Sequence, residues 1–127
     1  MSYLLDANVL INWLKGRTEV ASLIDELADG PDPLAVNAIA VAEVYCGVAE
    51  EHIARTQKVL GAFDYWPIDE AIARLSGWYR YRYARLGTPL SLTDVLMAAH
   101  AVSRDATLIT ANVKDFPIPE LRLLRLP

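Results

Sequence analysis

The chain contains one cysteine, two histidines and no apolar run that approaches the length of a membrane-spanning helix. Each scarcity removes a class of protein. A single cysteine, Cys46, can form no internal disulfide, so the fold does not rest on cross-links and a reducing cytoplasm is the expected compartment. His52 and His100 stand at no zinc-ligand spacing from each other or from Cys46, which argues against a zinc site. The longest apolar stretches are interrupted by Asp, Asn, Glu or Arg well short of the roughly 18 residues that a membrane helix needs. The opening segment, MSYLLDANVL, carries neither a basic region nor a small-residue cleavage site, so no secretory signal is expected. Repeats, low-complexity tracts and Ser/Gly-rich linkers are also missing.

What is present points to one packed domain over residues 1–127. Apolar residues make up 54% of the 127, enough to build a core without metal or cross-links. Lys and Arg number 12 against 16 Asp and Glu, a net charge of −4. Taken alone, that balance disfavours a nucleic-acid partner, because phosphate binding calls for cations. Carboxylates that converge on a metal ion reverse the local sign, so charge leaves the question open.

Short elements separated by clear punctuation suggest an alternating α/β chain. Ser2–Leu5 is an apolar run ending at Asp6, read as a strand buried on both faces. Val9–Leu14 reads as a short helix closing at Lys15–Gly16, where glycine suits a left-handed stop. Thr18 is placed as the cap of a helix over Glu19–Ala28, whose Val20, Leu23, Ile24 and Leu27 recur at helical spacing. After the Gly30–Pro33 turn, Leu34–Val36 reads as a strand and Asn37 as the cap of a helix over Ala38–Gly47. A helix over Glu50–Ala62 and a brief strand around Tyr65–Pro67 follow. Asp69 caps a long helix, Glu70–Leu86, that Gly87 ends. Pro89 and Ser91 open a helix over Leu92–Ser103, Thr107–Thr110 is a β-branched strand, and Leu121–Leu126 is an edge strand. Alternation of this kind implies a three-layer α/β/α sandwich around a mainly parallel sheet.

Open parallel sheets place their sites beyond the carboxyl ends of the strands, where the strand order reverses. Asp6 and Asn8 directly follow the first strand, Glu43 lies in the helix after the second, and Asn112 and Asp115 follow the Thr107–Thr110 strand. Asp94 lies in the first turn of the helix before it. Each has a structural alternative. Asp6 suits a helix cap, and Ser91 and Asp94 have the S-x-x-D spacing of a capping box. Asn112 and Asp115 suit an ordinary polar turn. Glu43 is the most informative, because its helix is apolar almost all round and is expected to be largely buried. A carboxylate there calls for a partner or a metal ion, unless it lies on a narrow wet stripe.

Two further features have bland readings. Trp78-Tyr79-Arg80-Tyr81-Arg82-Tyr83-Ala84-Arg85 mixes bases and aromatics, as surfaces that stack on nucleic acid do. An amphipathic helix with packed aromatics and wet arginines is the commoner reading. Cys46 is expected to be a small buried hydrophobe.

Four segments taken together resemble a known family. Leu4-Leu5-Asp6-Ala7-Asn8-Val9-Leu10-Ile11 resembles the opening motif of PIN-domain nucleases, and Ala38–Gly47, with its embedded Ala42-Glu43, resembles their second motif. Ser91-Leu92-Thr93-Asp94-Val95-Leu96-Met97-Ala98-Ala99 resembles the third, and Leu108–Phe116 the fourth. They occur in order and span nearly the whole chain. The compact single-domain form is similar to the VapC-type toxins of bacterial and archaeal toxin–antitoxin pairs.

The resemblance implies a Mg²⁺-dependent endoribonuclease, with Mn²⁺ as the alternative ion, in which Asp6, Glu43 and Asp94 are the catalytic metal ligands. Asn8, Thr110, Asn112 and Asp115 would support them. Relatives often carry an acid where this chain has Asn112, and Asp115 is the other candidate for that fourth place. Ala7 and Ala40 stand where many relatives have a hydroxyl residue, which bears on the hydrogen bonding around the site. Clustered carboxylates raise one another's pKa, and Mg²⁺, which prefers oxygen ligands, removes the conflict. With one carboxylate fewer than many relatives, a single tightly held ion is expected. The implied partners are an RNA substrate, a small antitoxin that inserts a basic side chain among the acids, and a second copy of the chain. A catalytically inactive binding module and a DNA nuclease are the competing readings. A phosphotransfer receiver would need an acidic pair after the first strand, and a D-x-D phosphohydrolase would need an acid where Asn8 stands.

Overall fold

Five short strands form one sheet, and every pairing in it is parallel. The computed structural model describes all of Met1–Pro127. Strands β1 (Tyr3–Leu5), β2 (Leu34–Val36), β3 (Asp64–Tyr65), β4 (Thr107–Thr110) and β5 (Arg122–Arg125) lie in the order β3-β2-β1-β4-β5. Tyr3 pairs with Leu34 on one side and with Thr107 on the other, so β1 is the central strand. Helices α1 (Ala7–Leu14), α2 (Thr18–Ala28), α3 (Ala38–Tyr45), α4 (Ile53–Leu60), α5 (Glu70–Arg85) and α6 (Leu92–Ser103) form the connections. The chain steps outward from β1 to β3 and then crosses back to β4. Right-handed crossovers therefore put α1–α4 over one face and α5 and α6 over the other. Packing agrees, with α1 against α2 and α3, α5 against α6, and β4 touching both α1 and α6.

This is the expected three-layer sandwich. The inner strands β1 and β2 and the middle of β4 read as apolar runs because both faces are covered: Leu4, Leu5, Ala35, Leu108 and Ile109 are wholly buried. The two edges are short or charged. β3 has two exposed residues, and β5 carries an exposed arginine at each end, which discourages further strand pairing.

Several boundaries differ from the sequence reading, each for a local reason. α1 begins at Ala7 instead of Val9, because Asp6 itself caps it. Thr18 is the first helical residue and not a cap, and Arg17 before it makes no side-chain cap bond. α3 ends at Tyr45, and Cys46 is exposed, not the buried hydrophobe expected. The segment after it splits into a 3-10 turn, Glu50–His52, and α4. Gly16 and Gly87 do take the left-handed conformation that ends their helices, with φ of 78° and 82°. The aromatics of α5 divide between both readings. Tyr79 and Tyr83 are buried, whereas Trp78 and Tyr81 are exposed and stack on each other, with the Arg85 guanidinium 4.4 Å from the Tyr81 ring centre.

A buried polar link ties the two helical layers together. Asn37 Oδ1 accepts from Ala40 N at 3.0 Å to cap α3, so its Nδ2 faces His100 Nδ1 at 2.9 Å. The imidazole proton must then lie on Nε2, which has no partner although His100 is completely buried. Burial holds the imidazole well below its ordinary pKa of 6.5, down to about 4, aided by the charge of Arg104 and opposed by Asp69. The unfolded chain thus protonates this histidine first. Stability present above pH 6.5 is lost as pH falls toward 4, by about 3 kcal/mol in full. Chemical denaturation of wild type and His100→Gln across pH 7 to 4 tests this. The difference in unfolding free energy between them should shrink steadily through that window, and a constant difference would contradict it.

Candidate active site

Asp6 stands where the strand order reverses, at the carboxyl end of β1 beside the end of β4. Its two oxygens have separate tasks. Oδ1 accepts from Ala7 N at 2.9 Å and starts α1. Oδ2 accepts from the Thr110 hydroxyl at 2.8 Å and from Asn8 Nδ2 at 3.2 Å. The cap reading and the site reading of Asp6 are therefore compatible, since a carboxylate has more lone pairs than a cap uses. Only 9% of Asp6 is exposed, and these donors offset the cost of burying its charge. The clamp continues outward. Asn8 Oδ1 accepts from Ala111 N at 3.0 Å, and Thr110 Oγ1 accepts from Asn112 N at 3.1 Å. Asn8 and Thr110 thus fasten the loop after β4 to the start of α1.

Glu43 is exposed on α3, which corrects the expectation that it would be largely buried. Only Ala40 and Val44 of that helix are buried, and Glu43 occupies the wet stripe between them and solvent. Its carboxyl is nonetheless pushed above the ordinary range. Partial withdrawal from water is the main cause, followed by repulsion from Asp6 and then Asp94. Asp94 is half-buried in the first turn of α6, where Ser91 Oγ accepts from Asp94 N at 3.1 Å. No bond returns from the Asp94 carboxylate to the Ser91 backbone, so only half of a capping box forms and that carboxylate is left for other work. Its pKa is also raised, chiefly by burial, with Asp115 and Asp6 repelling it and the Ser91 hydroxyl pulling the other way.

The structure therefore brings four of the singled-out acids to one rim. Asp115, in the 3-10 turn Val113–Asp115, belongs to the group through its effect on Asp94. Asn112 is exposed and its side chain makes no hydrogen bond. Sequence reasoning missed the role of His100, which through Asn37 anchors the first turn of the helix that carries Glu43. A buried histidine leaves no periodic signal, and only the packing shows its partner.

Comparison with known proteins agrees with this architecture. The PIN domain family pattern matches residues 3–117. The chain belongs to the PIN domain family. Ribonuclease VapC19 of Mycobacterium tuberculosis is 31% identical over 120 residues, covering 94% of this chain and 96% of that protein. Ribonuclease VapC10 of the same species is 35% identical over 118 residues, covering 92% and 87%. In the solved structures, VapBC2 from Rickettsia felis bound to a promoter DNA fragment matches with a TM-score of 0.88. That likeness has 25% identity and covers both chains fully.

In this PIN domain the donor set suits a hard divalent cation. All four acids offer oxygen, and their mutual repulsion is the kind that a cation relieves. No three His, Cys, Asp or Glu side chains stand close enough to enclose an ion on their own. Mg²⁺ tolerates that arrangement, because it is usually held by one or two carboxylates and keeps several waters.

Two outcomes follow from this geometry. A carboxyl whose pKa is raised on folding favours the unfolded state once both forms ionise, so neutral isosteres should stabilise the metal-free protein at neutral pH. Glu43→Gln and Asp94→Asn should each raise its melting temperature at pH 7.5 in EDTA, and the gain should vanish near pH 4. An unchanged or lower melting temperature at pH 7.5 would count against the coupling. Thr110→Val should cost about 1–3 kcal/mol in denaturant unfolding, because it takes the hydroxyl donor away from the buried Asp6 carboxylate.

Proposed function

We propose that this PIN domain is the toxin of a type II toxin–antitoxin pair, an endoribonuclease that hydrolyses RNA phosphodiesters with the help of a bound divalent metal, Mg²⁺ or Mn²⁺. The observation that carries the reading is the gathering of Asp6, Glu43 and Asp94 at the carboxyl rim of a PIN sheet, where the strand order reverses. The relatives' names supply the substrate class, since VapC19 and VapC10 are called ribonucleases.

Asp6 and Asp94 would hold the ion, Glu43 would join them or orient the attacking water, and Asp115 offers a further carboxylate nearby. A bound divalent ion supplies charge neutralisation at the phosphate and acidifies water. The chain's own groups do the rest. Thr110 and Asn8 fix the Asp6 carboxylate, so its geometry is set before substrate arrives. Glu43, less acidic than an ordinary carboxyl, is a better proton acceptor for a water it holds by hydrogen bond. Asn112 can accept or donate a hydrogen bond at the mouth but adds no charge. An antitoxin with a basic side chain would satisfy the same acids that the cation satisfies, which makes inhibition and metal binding competitive.

Cleavage of labelled RNA by the purified protein, free of antitoxin, tests the reading. Wild type with Mg²⁺ or Mn²⁺ should cut, EDTA should stop it, and Asp6→Asn, Glu43→Gln and Asp94→Asn should each lose at least about a hundredfold in rate. A calorimetric titration should find one tight metal site. Matched DNA should remain intact. A folded wild type that stays inert on varied RNAs with metal supplied would replace the nuclease by a binding module, with Asn112 as the first residue to revert to an acid.

A further inference from the structure

A groove of about 470 Å³ runs from Glu43 along the ends of α1 and α3 to the start of α4. We propose that it is a nucleotide subsite, which takes the base and flanking phosphate of the RNA residue next to the bond that is cut. The inference rests on the ribonuclease reading above and adds to it the part of the surface that selects the substrate.

Three observations support it. The groove is continuous with the acids, because Glu43 forms one end of its lining. Its floor is apolar, formed by Ile11 and Leu14 from α1 with Val44 and Val48 from α3 and the turn after it. Its volume lies within the roughly 300–1,000 Å³ of ordinary small-ligand sites, so one nucleotide unit fits. The third observation is charge. Lys15 and Arg55 line the groove, both are exposed, and neither forms an ion pair. Arg55 Nη2 donates to Leu14 O at 3.3 Å across the groove, which spends one donor on holding the guanidinium in place and leaves the others free.

That pattern fits RNA better than an apolar protein segment. A strand brought to a rim of carboxylates meets repulsion at every phosphate except the one that the metal neutralises. In a chain of net charge −4, two unpaired cations in the groove that Glu43 also lines supply the attraction that the neighbouring phosphate needs. A base face against aliphatic side chains, with its phosphate on Arg and Lys, is a common division of labour in nucleic-acid sites.

Gly47 provides a clean test, because it lines the groove and a Cβ placed there meets nothing within 4 Å. Gly47→Phe should therefore block the groove while leaving the melting temperature close to that of wild type. The charges are tested by Lys15→Gln, Arg55→Gln and the double variant. Binding is measured by fluorescence anisotropy with a labelled single-stranded oligoribonucleotide in EDTA, so that no cleavage is needed. Gly47→Phe and the double variant should bind at least about fivefold more weakly, and each lost cation should reduce the salt slope by about 0.7. In cleavage with Mg²⁺, the single charge variants should raise KM with kcat kept within about twofold. RNA binding that is equal in wild type, the blocked groove and the double variant overturns the proposal and leaves the groove to a protein partner. An inert wild type whose RNA binding still collapses in these variants would sink the ribonuclease reading while keeping the groove as an RNA site.

Discussion

The bond from the Thr110 hydroxyl to the Asp6 carboxylate, 2.8 Å long, joins residues 104 positions apart in the chain. It exists only if β1 and β4 are neighbours, which is the pairing that defines the reversal of strand order. A carboxylate this buried is costly unless its oxygens are met by donors, and here the donors come from the end of β4 and the first two residues of α1. Correct assembly of the sheet and correct placement of the acid are therefore one event. The rest of the site depends on that fixed charge. Glu43 and Asp94 both respond to Asp6, and the loop that carries Asp115 is fastened by the same Asn8 and Thr110 that hold Asp6.

The consequence is a folded state that stores repulsion. Glu43 and Asp94 resist ionisation, through burial first and the neighbouring acids second, and a protein without a cation there carries that cost at neutral pH. Any positive ligand that relieves it binds more tightly for that reason. A divalent ion and a basic side chain are equivalent in this respect, so the same cluster that suits metal-assisted hydrolysis also suits inhibition by a cationic partner. The overall charge of −4 conceals this division. Most of the molecule's acidity says nothing about substrate, whereas the placement of a few acids and of Lys15 and Arg55 says a good deal.

Much of the fold is legible in the sequence because its signals are local. The apolar runs of β1, β2 and β4 announce a doubly covered sheet, and Asn37, Asp69 and Ser91 cap the helices assigned to them. Asp6 and Asp94 are found at strand and helix ends by the same logic. What fails is anything that depends on which side of an element faces out. Periodicity is silent for α3, where almost every residue is apolar, so the sequence points to burial for Glu43 and Cys46, and both are exposed. The same silence covers α5, whose aromatics face both ways. The link from His100 to Asn37 crosses 63 positions and has no counterpart in spacing at all.

The exposure of Glu43 suits its proposed work better than burial would. A buried glutamate could be tuned strongly but would lie out of reach of a bulky polymer. On α3 the tuning comes from partial withdrawal from water first and from Asp6 and Asp94 across the rim second, and access comes from the residues beside it. Ala42, Cys46 and Gly47 lie one place before and three and four places after Glu43, on the same exposed stripe, and none has a side chain long enough to cover it. A helix read as uniformly apolar is thus divided by function. Ala40 and Val44, with Asn37 beneath them, hold it to the core, and a row of small residues keeps the space around the carboxylate open. Small apolar residues at the surface of α3 have a reason there that hydrophobic packing does not give.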